Sequence, residues 1–80
     1  MNVKVLGGGC SKCETLLANT KEAVANAGVD ADVEYITDFA VIGSYGIMSM
    51  PALVVDEKVV SMGRVLKAAE VEKLLRKLEF

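Results

Sequence analysis

Apolar and polar positions recur with two different periods along this chain, and the changes of period divide it into seven elements. Val3 to Leu6 is a short apolar run with Lys4 its only charge, which predicts a first strand. From Ser11 to Ala27, Cys13, Leu16, Leu17, Val24 and Ala27 recur at helical spacing, with Thr20 on the same stripe. Glu14, Asn19, Lys21, Glu22 and Asn26 fall largely off that stripe, so the helix has one dry and one wet face. Gly28 follows it, where a helix end favours glycine. Val29 to Ile36 predicts a second strand, with Val33, Tyr35 and Ile36 as its apolar part. Thr37 or Asp38 can cap a short second helix, on which Phe39, Ile42 and Tyr45 form one stripe, and Gly43 and Gly46 keep it brief. Pro51, the sole proline, stands at the mouth of a β-branched run, a position that a strand tolerates for its first residue. Asp56-Glu57-Lys58 is a tight turn, and Val59, Val60 and Met62 return as a fourth strand, ended by Gly63. Lys67 to Phe80 is the last helix, with Val71, Leu74, Leu75 and Leu78 as its stripe.

The order is βαβαββα. Its first two strands, joined by a helix, form a right-handed parallel unit, and its last two form a hairpin. No repeat, low-complexity segment or linker interrupts it, so residues 1–80 are expected to make a single domain. A chain this short buries only about 60% of its unfolded surface, and 52% hydrophobic residues are ample for that core. No run approaches the roughly 18 apolar residues that span a membrane. Met1 to Leu6 is too short for a secretion signal, so the expected compartment is the cytoplasm, where paired cysteines serve redox or metal chemistry more than stapling. The net charge is −2 with both signs interspersed, and there are only two Phe and two Tyr, which argues against a nucleic-acid partner. The absence of histidine removes Cys–His nucleophile pairs, His-ligated metals and imidazole proton shuttles.

Both cysteines lie in Gly7-Gly8-Gly9-Cys10-Ser11-Lys12-Cys13, where the first strand ends and the first helix begins. The N–H groups of a helix's first turn have no partner inside the helix and carry partial positive charge. A thiolate beside them is favoured over a thiol, so its pKa falls. Cys10 takes the cap position and Cys13 the first turn, and that spacing sets both on one helix face within bonding reach. Lys12 adds a nearby positive charge, although its plainer role is that of a solvated lysine. The glycines form either a permissive turn that admits another chain to the thiols or a merely flexible connection. As a phosphate nest they lack the Lys-Ser/Thr that should follow. A cis Met50–Pro51 bond would set the Met50 backbone beside whatever the strand end faces. Met48, Met50 and Met62 suit a core, but Met50, next to the proline, also suits an adaptable substrate contact.

On Cys10-Ser11-Lys12-Cys13 after the first strand, and Ser49-Met50-Pro51-Ala52 opening the hairpin, the chain resembles a minimal thioredoxin-fold protein. In size it is similar to glutaredoxins and the small archaeal and bacterial redox-active disulfide proteins, and the resemblance spans essentially the whole chain. It implies an α/β fold with a four-stranded mixed sheet flanked by three helices, and a cis proline against the cysteine pair. It implies a thiol–disulfide oxidoreductase in which Cys10 attacks a substrate disulfide and Cys13 resolves the intermediate. The substrate is then expected to meet Gly9, Ser11, Lys12, Met50 and Pro51. The implied protein is a monomer without metal or cofactor beyond a redox-active Cys10–Cys13 disulfide. Its partners would be protein disulfides, and a thioredoxin-reductase-type flavoprotein or another thiol reductant. The chain departs from the larger thioredoxins by having Lys4 where they keep a buried carboxylate and Gly9 where they keep a tryptophan. It departs from glutaredoxins in Met62-Gly63-Arg64, which lacks their paired glycines and acid for holding glutathione.

Three functions compete for these thiols. A purely structural disulfide would close four residues and contribute roughly 2 kcal/mol, a small return that favours redox work. A soft-metal carrier could bind Cu(I) or Zn(II) through two thiolates. Small copper chaperones, however, put a methionine beside the glycine before such a motif and end in a strand, and zinc would need ligands from a second molecule. The third is a partner-binding module whose cysteines are merely buried.

Overall fold

The computed structural model describes residues 1–9 and 11–78. Its elements are β1 (Asn2–Leu6), α1 (Ser11–Ala27), β2 (Asp32–Ile36), α2 (Phe39–Ser44), β3 (Ala52–Val55), β4 (Lys58–Met62) and α3 (Ala68–Leu78). The sheet order is β2-β1-β3-β4. β1 runs parallel to β2, with Val3 opposite Val33 and Leu6 opposite Ile36. β3 lies antiparallel to β1, with Val5 opposite Leu53 and Leu6 opposite Ala52, and antiparallel to β4. This is the mixed four-stranded sheet with three helices that the periods and the resemblance led us to expect.

Side chains alternate across a strand, so β1 and β3 feed two separate cores. Val3, Val5, Leu53 and Val55 pack with Leu16 and Ala23 of α1 and Val71 and Leu75 of α3. Leu6, Ala52 and Val54 pack on the opposite face with Ile42 of α2. The six residues of α2 are too few to cover the whole of that face. Val59 and Met62, which oppose Val54 and Ala52 and so share their face, are left exposed. Thr20 is buried in α1 with its hydroxyl donating to the Leu16 carbonyl at 2.7 Å, which satisfies that hydroxyl.

Several expectations need correction. β2 begins at Asp32 and not at Val29; Val29 and Ala31 instead pack against the core from the connection. Of the two caps offered for α2, Asp38 serves, its carboxylate accepting from the Ala40 N–H at 2.9 Å. Phe39 does not join Ile42 in the core and is 65% exposed. Asn19 is not on a wet face: it is half-buried and donates to the Leu66 carbonyl at 2.9 Å, tying α1 to the entry of α3. Ala23 is buried on the α1 stripe, while Leu17, Val24 and Ala27 sit at its margin. The turn between β3 and β4 puts Asp56 and Glu57 at φ 49° and 69°, the left-handed pair that matches a two-residue hairpin to the strand twist. α3 begins at Ala68, with Val71 and Leu75 buried. Its extension through Glu79 to Phe80, and the side chain of Leu78 on the stripe, lie outside the described residues. Among the described residues no helix is long and apolar enough to cross a membrane.

Candidate active site

The glycines between β1 and α1 have different surroundings. Gly7 is buried, and a Cβ on it would collide with Cys13 Sγ and lie 2.6 Å from Cys13 Cβ. The thiol of α1 is therefore seated directly on the backbone that leaves β1. Gly9 turns the chain at φ +82°, which β-carbon-bearing residues rarely adopt, and so aims it into the helix. Gly8 lies under two side chains: a Cβ there would stand 3.4 Å from Phe39 Cζ and 3.9 Å from Met50 Cε.

The antiparallel register explains why the proline segment meets this loop. Leu6, the last paired residue of β1, opposes Ala52, which directly follows Pro51 in the chain, and Met50 Cε stands near where a Gly8 Cβ would be. Pro51 is buried, and the Met50–Pro51 peptide is cis. The Pro51 carbonyl accepts from the Gly63 N–H at 2.9 Å, joining the end of β4 to the same corner. A Cβ on Gly63, at φ +74°, would lie 3.0 Å from Ser49 Cβ, so this corner is closely packed. Cys13, against Gly7, and Met50, near Gly8, thus stand over adjacent residues of one loop. Ser11 and Lys12 are exposed in the first turn of α1, Gly9 is exposed before it, and Met50 is 41% exposed. Cys10, and with it a Cys10–Cys13 bond, lies outside the described residues.

Lys4 does not bring its charge to the thiols. It shares the α2 face with Leu6, and its ammonium reaches the opposite end of the sheet. There it donates to Tyr45 Oη at 2.8 Å and Glu57 Oε1 at 2.7 Å, while the Tyr45 hydroxyl donates to Glu57 Oε2 at 2.9 Å. The hydrogen bond to Glu57, then that to Tyr45, raises the Lys4 pKa well above its ordinary 10.5. The same bonds, Lys4 first, hold the Glu57 carboxyl below its ordinary 4.5. Among the described residues, no three His, Cys, Asp or Glu side chains gather as a metal set. Sequence reasoning missed Phe39 as a neighbour of the glycine loop, since its spacing with Ile42 reads as core. The one available signal was that the residues it must cover are glycines.

The sheet and its glycine loop, seated on a strand that opens with a cis proline, are those of a thioredoxin-like fold. Residues 1–76 match the thioredoxin domain family model, and the chain belongs to that family. It is 37% identical over 75 residues to a thioredoxin of Methanothermobacter thermautotrophicus, covering 94% of this chain and 97% of that one. It is 28% identical over 74 residues to a thioredoxin of Methanocaldococcus jannaschii, covering 92% of this chain and 85% of that one. At the level of the family, the chain is a thioredoxin-like oxidoreductase.

Proposed function

We propose that the chain is a thiol–disulfide oxidoreductase working through Cys10 and Cys13. The observation that carries this reading is the seating of Cys13: buried in the first turn of α1 and against Gly7, which follows the strand end paired with Ala52, the residue after Pro51. The Cys10 thiolate attacks one sulfur of a substrate disulfide, that disulfide breaks, and the other substrate sulfur leaves as a thiolate. Cys13, deprotonated, then attacks the Cys10 sulfur of the mixed disulfide. The second substrate thiolate leaves, and Cys10 and Cys13 end bonded and oxidised by two electrons. Proximity makes this second step effectively unimolecular. An external thiol or a thioredoxin-reductase-type flavoprotein returns the two electrons. Protein disulfides and small disulfides are the substrate class, a reducing cytoplasm the setting, and a monomer without metal the working form.

The test is turnover. With dithiothreitol as donor, the protein should reduce hydroxyethyl disulfide and a protein disulfide catalytically, and a flavoprotein reductase should replace dithiothreitol better than glutathione does. No turnover with any donor, together with a stoichiometric metal after anaerobic purification, would instead favour the soft-metal carrier.

A further inference from the structure

We propose that the groove between β4 and α3 is a binding site for a small anionic amphiphile, a free molecule with one acidic head and an apolar tail. The groove shares no residue with the candidate active site, so this inference stands independently of the oxidoreductase reading. Its volume is about 390 Å³, within the range of small-molecule sites. Its floor is apolar: Val60 from β4, Leu66 from the connection and Leu74 from α3. A register shift shapes that floor. Val59 opposes Val54 and Ser61 opposes Leu53, so Val60 is an extra residue, a bulge in the edge strand. The bulge brings Val60 and Ser61, neighbours in the chain, to the same groove, where regular alternation would have sent one of them to the other face.

The acidic head follows from the charges. Arg64, Lys73 and Lys77 line the groove with one carboxylate, Glu70, in a chain whose net charge is −2. That carboxylate is already engaged: one oxygen accepts from the Lys67 N–H at 3.3 Å, and the other stands 3.9 Å from Arg64 Nη2. Lys73 and Lys77 have no ion pair among the described residues, and they stand one helical turn apart, where like charges repel. The helix dipole favours Lys77 in the last turn of α3, but it does not account for Lys73 in the middle. An anion between the two lysines relieves their repulsion, and its tail then covers Leu74, Val60 and Leu66. Ser61 also lines the groove, and its buried hydroxyl has no hydrogen-bond partner among the described residues, so this wall is still short of a polar partner. An added β-strand is the competing occupant, but the bulge breaks the regular edge of β4 that strand addition needs. Recognition therefore falls to side chains, as it does for a small molecule.

Octanoate, octanol and acetate, each titrated into isotope-labelled protein and followed by backbone amide shifts, test this. Octanoate should shift the amides of residues 60–66 and 70–77 saturably, at concentrations where it forms no micelles. Octanol, with the tail and no charge, should bind about tenfold more weakly, and acetate, with the charge and no tail, about a hundredfold more weakly. The double variant Lys73→Gln, Lys77→Gln should lose the preference for octanoate over octanol. Arg76→Gln removes a cation of the same helix that is paired with Glu72 and does not line the groove, so it should keep that preference. Dispersed amide spectra show that each variant is folded. The inference is overturned by the absence of saturable octanoate shifts in these segments, or by equal binding of octanoate and octanol. A preference that survives in the double variant, or one lost as fully in Arg76→Gln, overturns it too. Binding to phosphatidylglycerol vesicles without octanoate shifts would assign the cations to a membrane surface instead.

Discussion

Gly7 and Gly8 are adjacent and chemically identical, yet they face different neighbours. Gly7 meets the buried Cys13, whose atoms are fixed by the start of α1, whereas Gly8 meets the tip of an exposed ring that can swing aside. Gly7→Ala should therefore lower stability by about 1–3 kcal/mol through overpacking. Gly8→Ala should stay within about 0.5 kcal/mol of the parent, as surface changes do. Urea denaturation of the two variants measures both, and equal losses would mean that Cys13 is not seated on Gly7. The cysteine spacing and the proline could be read from the sequence, because each is a local signal. The reason for Gly7 could not, since it depends on a side chain six positions later folding back over the strand end.

At the scale of elements, the stripes of α1 and α3 were legible because a long period-3.6 pattern averages over single residues. The six residues of α2 offer no such average, so Phe39 and Ile42 read alike although only one is buried. What anchors the far end of α2 is polar and distant in sequence: Tyr45, Lys4 and Glu57 close a ring of hydrogen bonds between helix, central strand and hairpin turn. Its pH dependence has a defined sign. Glu57 is held below its unfolded value of 4.5, so its contribution is complete above that pH and disappears as the pH falls through the lower folded value. Lys4 is held above 10.5, so its contribution is complete below that pH and is lost only as the pH rises through the higher folded value. Glu57→Gln should thus flatten the acid limb of the stability profile and bring the alkaline loss to lower pH. Both effects should shrink in salt, since Glu57 is 65% exposed. Denaturation midpoints followed from acid to alkaline pH check this, and an unchanged acid limb would contradict it.

For the whole molecule, the element order was readable because changes of hydrophobic period coincide with a glycine, a proline or a turn, and at the start of α2 with the Asp38 cap. The register was not, and it is the register that makes a site. Antiparallel pairing of β1 with β3 sets Leu6 opposite Ala52, so the segments next to them, Gly7-Gly8 and Met50-Pro51, share one corner although they lie more than forty positions apart in the chain. The start of α1 holds one thiol of the motif inside the protein, against Gly7. Cys13 is buried against the strand exit, whereas Cys10 follows three glycines in the sequence. An asymmetric pair of thiols is the central claim, and trapping with single-cysteine variants tests it most directly. Incubated with a protein disulfide and run on non-reducing gels, Cys13→Ser should accumulate a covalent adduct through Cys10, because the first exchange proceeds and the second cannot. Cys10→Ser should trap little, since Cys13 is shielded. Equal trapping by both variants, or by neither, would contradict the assignment, and near-equal loss of bound metal in both would point to a pair of ligands.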